Sequence, residues 1–176
     1  MTFDLHRSQQ RKGSSVPYVA HVLGVSSLVL ENGGDEDTAI AALLHDAVED
    51  QGGHATQAEI EARFGPVVGA IVHGCTESAD DPKPPWRTRK EHHLGRLRDA
   101  SASVQLVAAC DKLYNAQSIL ADYADLGEAL WSRFSGGREG VLWYYRSALN
   151  ALTLQNRVVA ALRLAVEELE TVTAHR

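Results

Sequence analysis

From residue 17 onward, apolar positions recur at helical spacing in runs separated by glycine, proline and small polar clusters. Residues 1–10 read as a stub of helix ended by Lys12-Gly13-Ser14-Ser15. Pro17 stands at a natural first helical position, and Val22, Val25, Leu28 and Val29 mark one face of a helix over 18–31. Asn32-Gly33-Gly34 stops it, and Asp35 can cap the next helix. There the run Ala39-Ile40-Ala41-Ala42-Leu43-Leu44 is apolar all round, which predicts a buried central helix lasting to Gln51-Gly52-Gly53. Thr56 and Glu59 form a capping-box pair before a helix reaching Phe64-Gly65, which closes against the core, and Pro66 opens another through Ile71 and Val72. Residues 76–85 hold three of the five prolines and predict an irregular surface loop. Helical patterns resume over Trp86 to Leu97, from Ser103 to Leu120, and near 125–134, 138–152 and 156–170. Strand signals are scarce and nothing resembles a βαβ unit, so the predicted class is all-α.

Length and composition narrow this further. A chain of 176 residues suits one domain, 1–176, with one site. No apolar run approaches the length of a membrane span, and the basic start lacks the apolar core of a signal peptide, so a cytoplasmic protein without a membrane partner is expected. Cys75 and Cys110 sit in no metal-binding spacing and are expected to be free buried thiols. A net charge of -6 argues against a nucleic-acid polymer as partner, because counterion release needs a basic face. A polyanionic small molecule must therefore meet a local basic patch. Lys83, Arg87, Arg89, Lys90, Arg96 and Arg98 supply one, clustered in a chain with only 17 Lys and Arg.

The candidate chemistry begins where the apolar run meets His45-Asp46, with Glu49-Asp50 one turn later. Neighbouring helical residues point about 100° apart, so both members of the first pair can reach one ion while the second pair stacks beside them. His21 lies on the preceding helix and Asp111 on a much later one. His54, His73, His92 and His93 have no partner at ligand spacing and read as surface or incidental.

The blocks Arg11-Lys12-Gly13 with Pro17-Tyr18-Val19-Ala20-His21, then Ala41 to Asp50, Phe64-Gly65, and Asp111-Lys112-Leu113-Tyr114-Asn115 resemble the HD-domain hydrolases of the RelA/SpoT type. The free-standing small alarmone hydrolases look closest. The resemblance spans about residues 3–155 and implies that His21, His45, Asp46 and Asp111 bind one divalent metal, usually manganese. Two imidazoles with two carboxylates agree with that, since magnesium prefers all-oxygen surroundings. The resemblance further assigns Glu49 and Asp50 to water activation and proton transfer, and Asn115 to orienting nucleotide or water. It places Arg11 on a guanine base beside Lys12, and Lys83, Arg87 and Lys90 on the pyrophosphate. Trp143, Tyr144 and Tyr145 fall where the family carries an aromatic cleft helix, with at least one expected in the core. The chain departs from the family in a short first helix, Cys110 before Asp111, and Gln117 in place of arginine.

The implied activity is removal of the 3′-pyrophosphate from (p)ppGpp, returning GDP or GTP, with no room in this chain for the family's synthetase domain. Two alternatives remain: a phosphohydrolase of another nucleotide, such as (p)ppApp or a nucleoside monophosphate, and a weakly catalytic nucleotide sensor. Oligomeric state is not readable from the chain.

Overall fold

The computed structural model describes residues 1–79 and 82–174, so Asp80 and Asp81 of the proline-rich loop lie outside the described residues. In chain order the helices are α1 (Thr2–Leu5), α2 (Tyr18–Glu31), α3 (Glu36–Leu44), α4 (Ala47–Asp50) and α5 (Gly53–Cys75). They continue as α6 (Trp86–Arg98), α7 (Ala102–Leu126), a 3-10 segment Gly127–Arg133, α8 (Gly137–Ala151) and α9 (Arg157–Ala174). No strand occurs among the described residues, and the predicted all-α class is what the chain adopts.

Helix α7 is the axis. Every residue from Val104 to Leu113 is buried, which a helix achieves only when neighbours cover all its faces. Helices α2, α3, α5 and α9 pack around it, while α8 bridges α6 and α9. The central position therefore belongs to α7. The run at 39–44, expected to be the central helix, is the short α3, wedged between α2 and α5. Each fully buried valine, leucine or isoleucine in this core, such as Val22, Leu44, Ile60 and Leu162, contributes roughly 1.5–3 kcal/mol.

Local chemistry sets the boundaries. Asp35 caps α3 by accepting from the Thr38 N–H at 2.9 Å, as expected, and the Ser101 hydroxyl accepts from Val104 N–H at 3.3 Å to start α7. The expected Thr56–Glu59 box is not the start of α5, which begins at Gly53. The Thr56 hydroxyl instead donates to the Gln51 carbonyl. Gly65, at φ +89°, breaks α5 and lets Pro66 open its second half, but Phe64 is 37% exposed and closes nothing against the core. The first helix is only Thr2–Leu5. Residues 9–18 instead form a tight loop closed by Arg11 N–H to Val16 C=O (2.8 Å) and Tyr18 N–H to Gln9 C=O (2.9 Å).

One close approach between helices positions the polar cluster. A Cβ on Gly24 would lie 2.1 Å from the Tyr114 ring, so α2 meets α7 at a distance only glycine permits. His21 and Asp111 each lie one turn before that contact, which brings them face to face.

Candidate active site

The apolar helix does not run through His45-Asp46 as its periodicity suggested. It ends at Leu44, and the pair forms a break before the single turn of α4. His45 makes the break tolerable: its Nδ1 lies 2.7 Å from the Ala42 carbonyl, an acceptor only, so Nδ1 carries the proton and satisfies one carbonyl at the helix end. The other nitrogen, Nε2, then presents its lone pair inward.

Four side chains converge there. His45 Nε2 is 3.0 Å from Asp46 Oδ2 and 3.6 Å from Asp111 Oδ1; His21 Nε2 is 3.6 Å and 3.2 Å from the same two oxygens. The rings stand edge to face with centroids 5.3 Å apart. His21, His45 and Asp46 offer ligand atoms all within 4.8 Å of one another, the spacing of neighbours around one cation at roughly 2.0–2.2 Å from each. His45 Nε2 is buried and has no hydrogen-bond partner although carboxylate oxygens crowd it, and this unused lone pair fits a divalent metal. The second sphere is in place as well. The Tyr18 hydroxyl donates to Asp46 Oδ2, Asn115 Nδ2 donates to Asp111 Oδ1 at 2.6 Å, and Lys112 binds Asp111 Oδ2. Burial opposes ionisation of both aspartates, but the positive charge His45 carries when protonated, a place a cation can take, and Lys112 beside Asp111 hold them well below the usual carboxylate range.

A cleft of about 670 Å³ opens from this cluster. Glu49, Asp50, Lys90, Asn115, Arg11 and the exposed Lys12 line it. Arg11 Nη1 donates to Asn115 Oδ1 at 2.9 Å and its guanidinium lies 5.7 Å from the Tyr114 ring centre. Lys83 reaches Glu49 at 3.3 Å and Asp50 at 3.6 Å. Burial, then the neighbouring Glu77 charge, raise the Glu49 carboxyl above its ordinary pKa.

The basic helix corrects the sequence reading. Trp86, Arg89, Lys90 and His93 line the cleft, the i, i+3, i+4, i+7 face of α6. Arg87 lies off that face, paired with Glu91 at 2.7 Å and stacked on Trp143. Arg89, counted in the basic patch but not assigned to the pyrophosphate, instead bridges Glu49 (2.9 Å) and Glu77 (3.2 Å). His93, expected at the surface, is 2% exposed. Burial and the nearby Lys112 drive its pKa down to about 4. Glu77, in the segment expected to be a surface loop, points inward with its side chain 9% exposed.

Other missed residues lie in the first loop. Gln9 donates to Asp50 Oδ2 at 2.9 Å, and its own carbonyl oxygen is held by His6 Nδ1 (2.7 Å) and Gln51 Nε2 (2.6 Å). No spacing rule links residues 9 and 50, so only the fold reveals the pair. Tyr144 and Tyr145 are both buried and line the cleft, whereas Gln117 is exposed. Both thiols are free, with Cys110 buried and Cys75 half-buried. Burial pushes each up to about 12, which keeps the sulfur beside Asp111 unreactive. No helix among the described residues is long and apolar enough to cross a membrane.

Comparison with known proteins agrees with this geometry. Guanosine-3′,5′-bis(diphosphate) 3′-pyrophosphohydrolase MESH1 of Xenopus tropicalis is 40% identical over 117 residues, which is 65% of this chain and 63% of that protein. The chain thus spans somewhat under two thirds of that relative's length. A solved structure of a metazoan ortholog of SpoT, described as hydrolysing ppGpp and playing a role in starvation responses, matches with TM-score 0.74 and 27% identity. That match covers 97% of this chain and 89% of the other. The crystal structure of lmo0812 from Listeria monocytogenes EGD-e matches with TM-score 0.76 and 28% identity, over 88% of this chain and 99% of its own. The HD domain family matches residues 2–142, the stretch that contains all four converging side chains, and the chain belongs to that family.

Proposed function

We propose that residues 1–176 form one metal-dependent phosphohydrolase domain that removes the 3′-pyrophosphate of guanosine alarmones in the cytoplasm, giving GDP or GTP. The observation that carries the reading is a cleft lined by His45, Asp46 and Asp111, with His21 packed against them, beside the acid pair Glu49 and Asp50 and the cations Arg89 and Lys90. The 40% identity to a protein named for that reaction on guanosine-3′,5′-bis(diphosphate) supports the choice of substrate. His21, His45, Asp46 and Asp111 would hold the metal, and their mixed nitrogen and oxygen donors favour manganese over magnesium. When bound, the ion supplies Lewis acidity toward a phosphoryl oxygen and makes water more acidic.

The chain's own groups then divide the remaining work. Asp50, held by Gln9, accepts a proton from the attacking water. Glu49, shifted toward its protonated form by burial and by Glu77, would give a proton to the ribose 3′ oxygen as the phosphorus–oxygen bond breaks and pyrophosphate leaves. Lys83, Arg89 and Lys90 receive the departing charge, and Asn115 fixes the orientation of Asp111 and Arg11. Arg11, near the Tyr114 ring, offers its guanidinium plane to a purine, with the exposed Lys12 beside it. The net charge of -6 and the confinement of these cations to one cleft favour a small nucleotide over a nucleic-acid polymer.

The test is release of pyrophosphate from ppGpp, pppGpp and ppApp, and of phosphate from GMP, with manganese or magnesium, with bound metal counted on the same preparations. Pyrophosphate from the guanosine compounds and one ion per chain is the expected result. Release of phosphate from GMP alone, or nucleotide binding without release, would replace this reading with a monophosphatase or a sensor.

A further inference from the structure

Glu77 is a hub of charged contacts in the cleft, and the reaction steps assigned to its neighbours leave it without a task. Its carboxylate receives Lys90 on Oε1 and Arg89 on Oε2, the latter at 3.2 Å. Its main-chain N–H points at Glu49 Oε2 at 3.3 Å, while Arg89 Nη1 closes the ring on Glu49 Oε1 at 2.9 Å. Lys90 in turn lies 4.3 Å from the Tyr144 ring centre, and the Tyr144 hydroxyl is 3.5 Å from Glu77 Oε1. Four pieces of chain meet at one carboxylate: α4, the segment after α5, α6 and α8.

We propose that Glu77 is a positioning residue, which holds Glu49, Arg89 and Lys90 as one unit and so couples proton handling to phosphate reception. The physical case is competition for Arg89. A guanidinium shared between two carboxylates gives less to each than one it serves alone. With Glu77 present, Arg89 is divided and Lys90 is engaged elsewhere. With Glu77 neutralised, Arg89 falls wholly to Glu49, and a like charge also disappears from beside it. Both changes favour the ionised form of Glu49, so their signs agree. The other charged groups facing Glu49 are Lys83 from the loop, Lys90 from α6, and Asp46 and Asp50 on its own segment; of these only Lys90 is paired with Glu77, and its release by the substitution also favours the ionised form of Glu49. Glu77 itself stays ionised: burial opposes its charge, but Lys90 and Lys112 outweigh burial and hold its carboxyl below the ordinary range.

The inference rests on the reading of Glu49 as the proton donor, and its test separates the two. Carboxyl-labelled glutamate, with the Glu49 signal identified by its loss in Glu49→Gln, reports the Glu49 titration by NMR without any turnover. In Glu77→Gln that titration should move to lower pH, by on the order of one unit. On the same proteins, kcat should fall roughly tenfold in Glu77→Gln with a smaller change in KM, and should fall no further when Glu77→Gln is added to Glu49→Gln. Glu77→Asp, which keeps the charge, should recover part of the loss. If Glu77→Gln does not fold, Arg89→Gln gives the opposite sign, moving the Glu49 titration upward. An unmoved Glu49 titration, or a Glu77 loss that persists undiminished without Glu49, would overturn the proposal. A wild type that releases no pyrophosphate yet shows the shifted titration would overturn the functional reading and leave the coupling between Glu77 and Glu49 standing.

Discussion

The two ends of the catalytic wall are built differently. The His21, His45, Asp46, Asp111 cluster is fixed by buried helices: His21 is 1% and His45 4% exposed, and α2 and α7 meet there at a glycine contact. The cation wall of Lys83, Arg89 and Lys90 stands on an irregular segment and one basic helix, and its members are held by ion pairs with Glu49 and Glu77. Packing specifies the first region and charge balance the second. A rigid cluster can hold donor atoms for an ion, whereas a wall of exchangeable ion pairs can release its cations to an incoming phosphate.

Substitutions in each region put that contrast at risk. The largest effect should follow Asp111→Ala, because it removes a candidate ligand and leaves Lys112 buried without its carboxylate partner. Loss of bound metal and of detectable turnover is expected, with a stability loss of about 3–5 kcal/mol measured by urea unfolding. Retained stoichiometric metal would remove Asp111 from the coordination set. Next, Glu49→Gln and Asp50→Asn should each keep the ion and the nucleotide while lowering kcat by about 10² to 10⁴-fold. Metal content, nucleotide Kd and single-turnover release on one preparation decide it, since loss of metal would move that carboxylate into the ligand set.

A third test uses His93, which lies behind the charged wall among Lys90, Arg96, Lys112 and Glu77. Its folded pKa of about 4 lies below the ordinary 6.5, so below pH 6.5 the unfolded chain takes up a proton that the folded one refuses. Stability is therefore fully present above pH 6.5 and falls as the pH drops toward 4, by about 3 kcal/mol from this group. Urea midpoints across that range should show the decline in wild type and a shallower one in His93→Gln; equal slopes would mean His93 titrates normally. The smallest effects divide α6 by its faces. Arg89→Ala should raise KM about tenfold and flatten its salt dependence, while Arg87→Ala, on the Trp143 side, should change KM less than about twofold. The reverse ranking would place Arg87 in the cleft.

That last pair shows how legible the molecule was. The basic cluster at 83–98 stood out in the sequence, yet assigning Arg87 and not Arg89 to the pyrophosphate missed the face that Trp86, Arg89, Lys90 and His93 share at helical spacing. The pattern was present in the letters and needed only the identity of the buried side. Gln9 beside Asp50 had no such trace, because 41 residues separate them and neither is apolar.

Periodicity and caps sufficed for the all-α class and most helix limits, because those depend on neighbours within a few turns, whereas the candidate ligands came from the resemblance of separated blocks taken in order. Packing between helices made α7 and not α3 central, broke the helix at His45, and turned Glu77 and His93 inward. Burial and charge pairing are properties of which helices meet. A carboxylate such as Glu77 can leave water only where Lys90 and Arg89 arrive from another element to neutralise it, and no local pattern in the chain records that meeting.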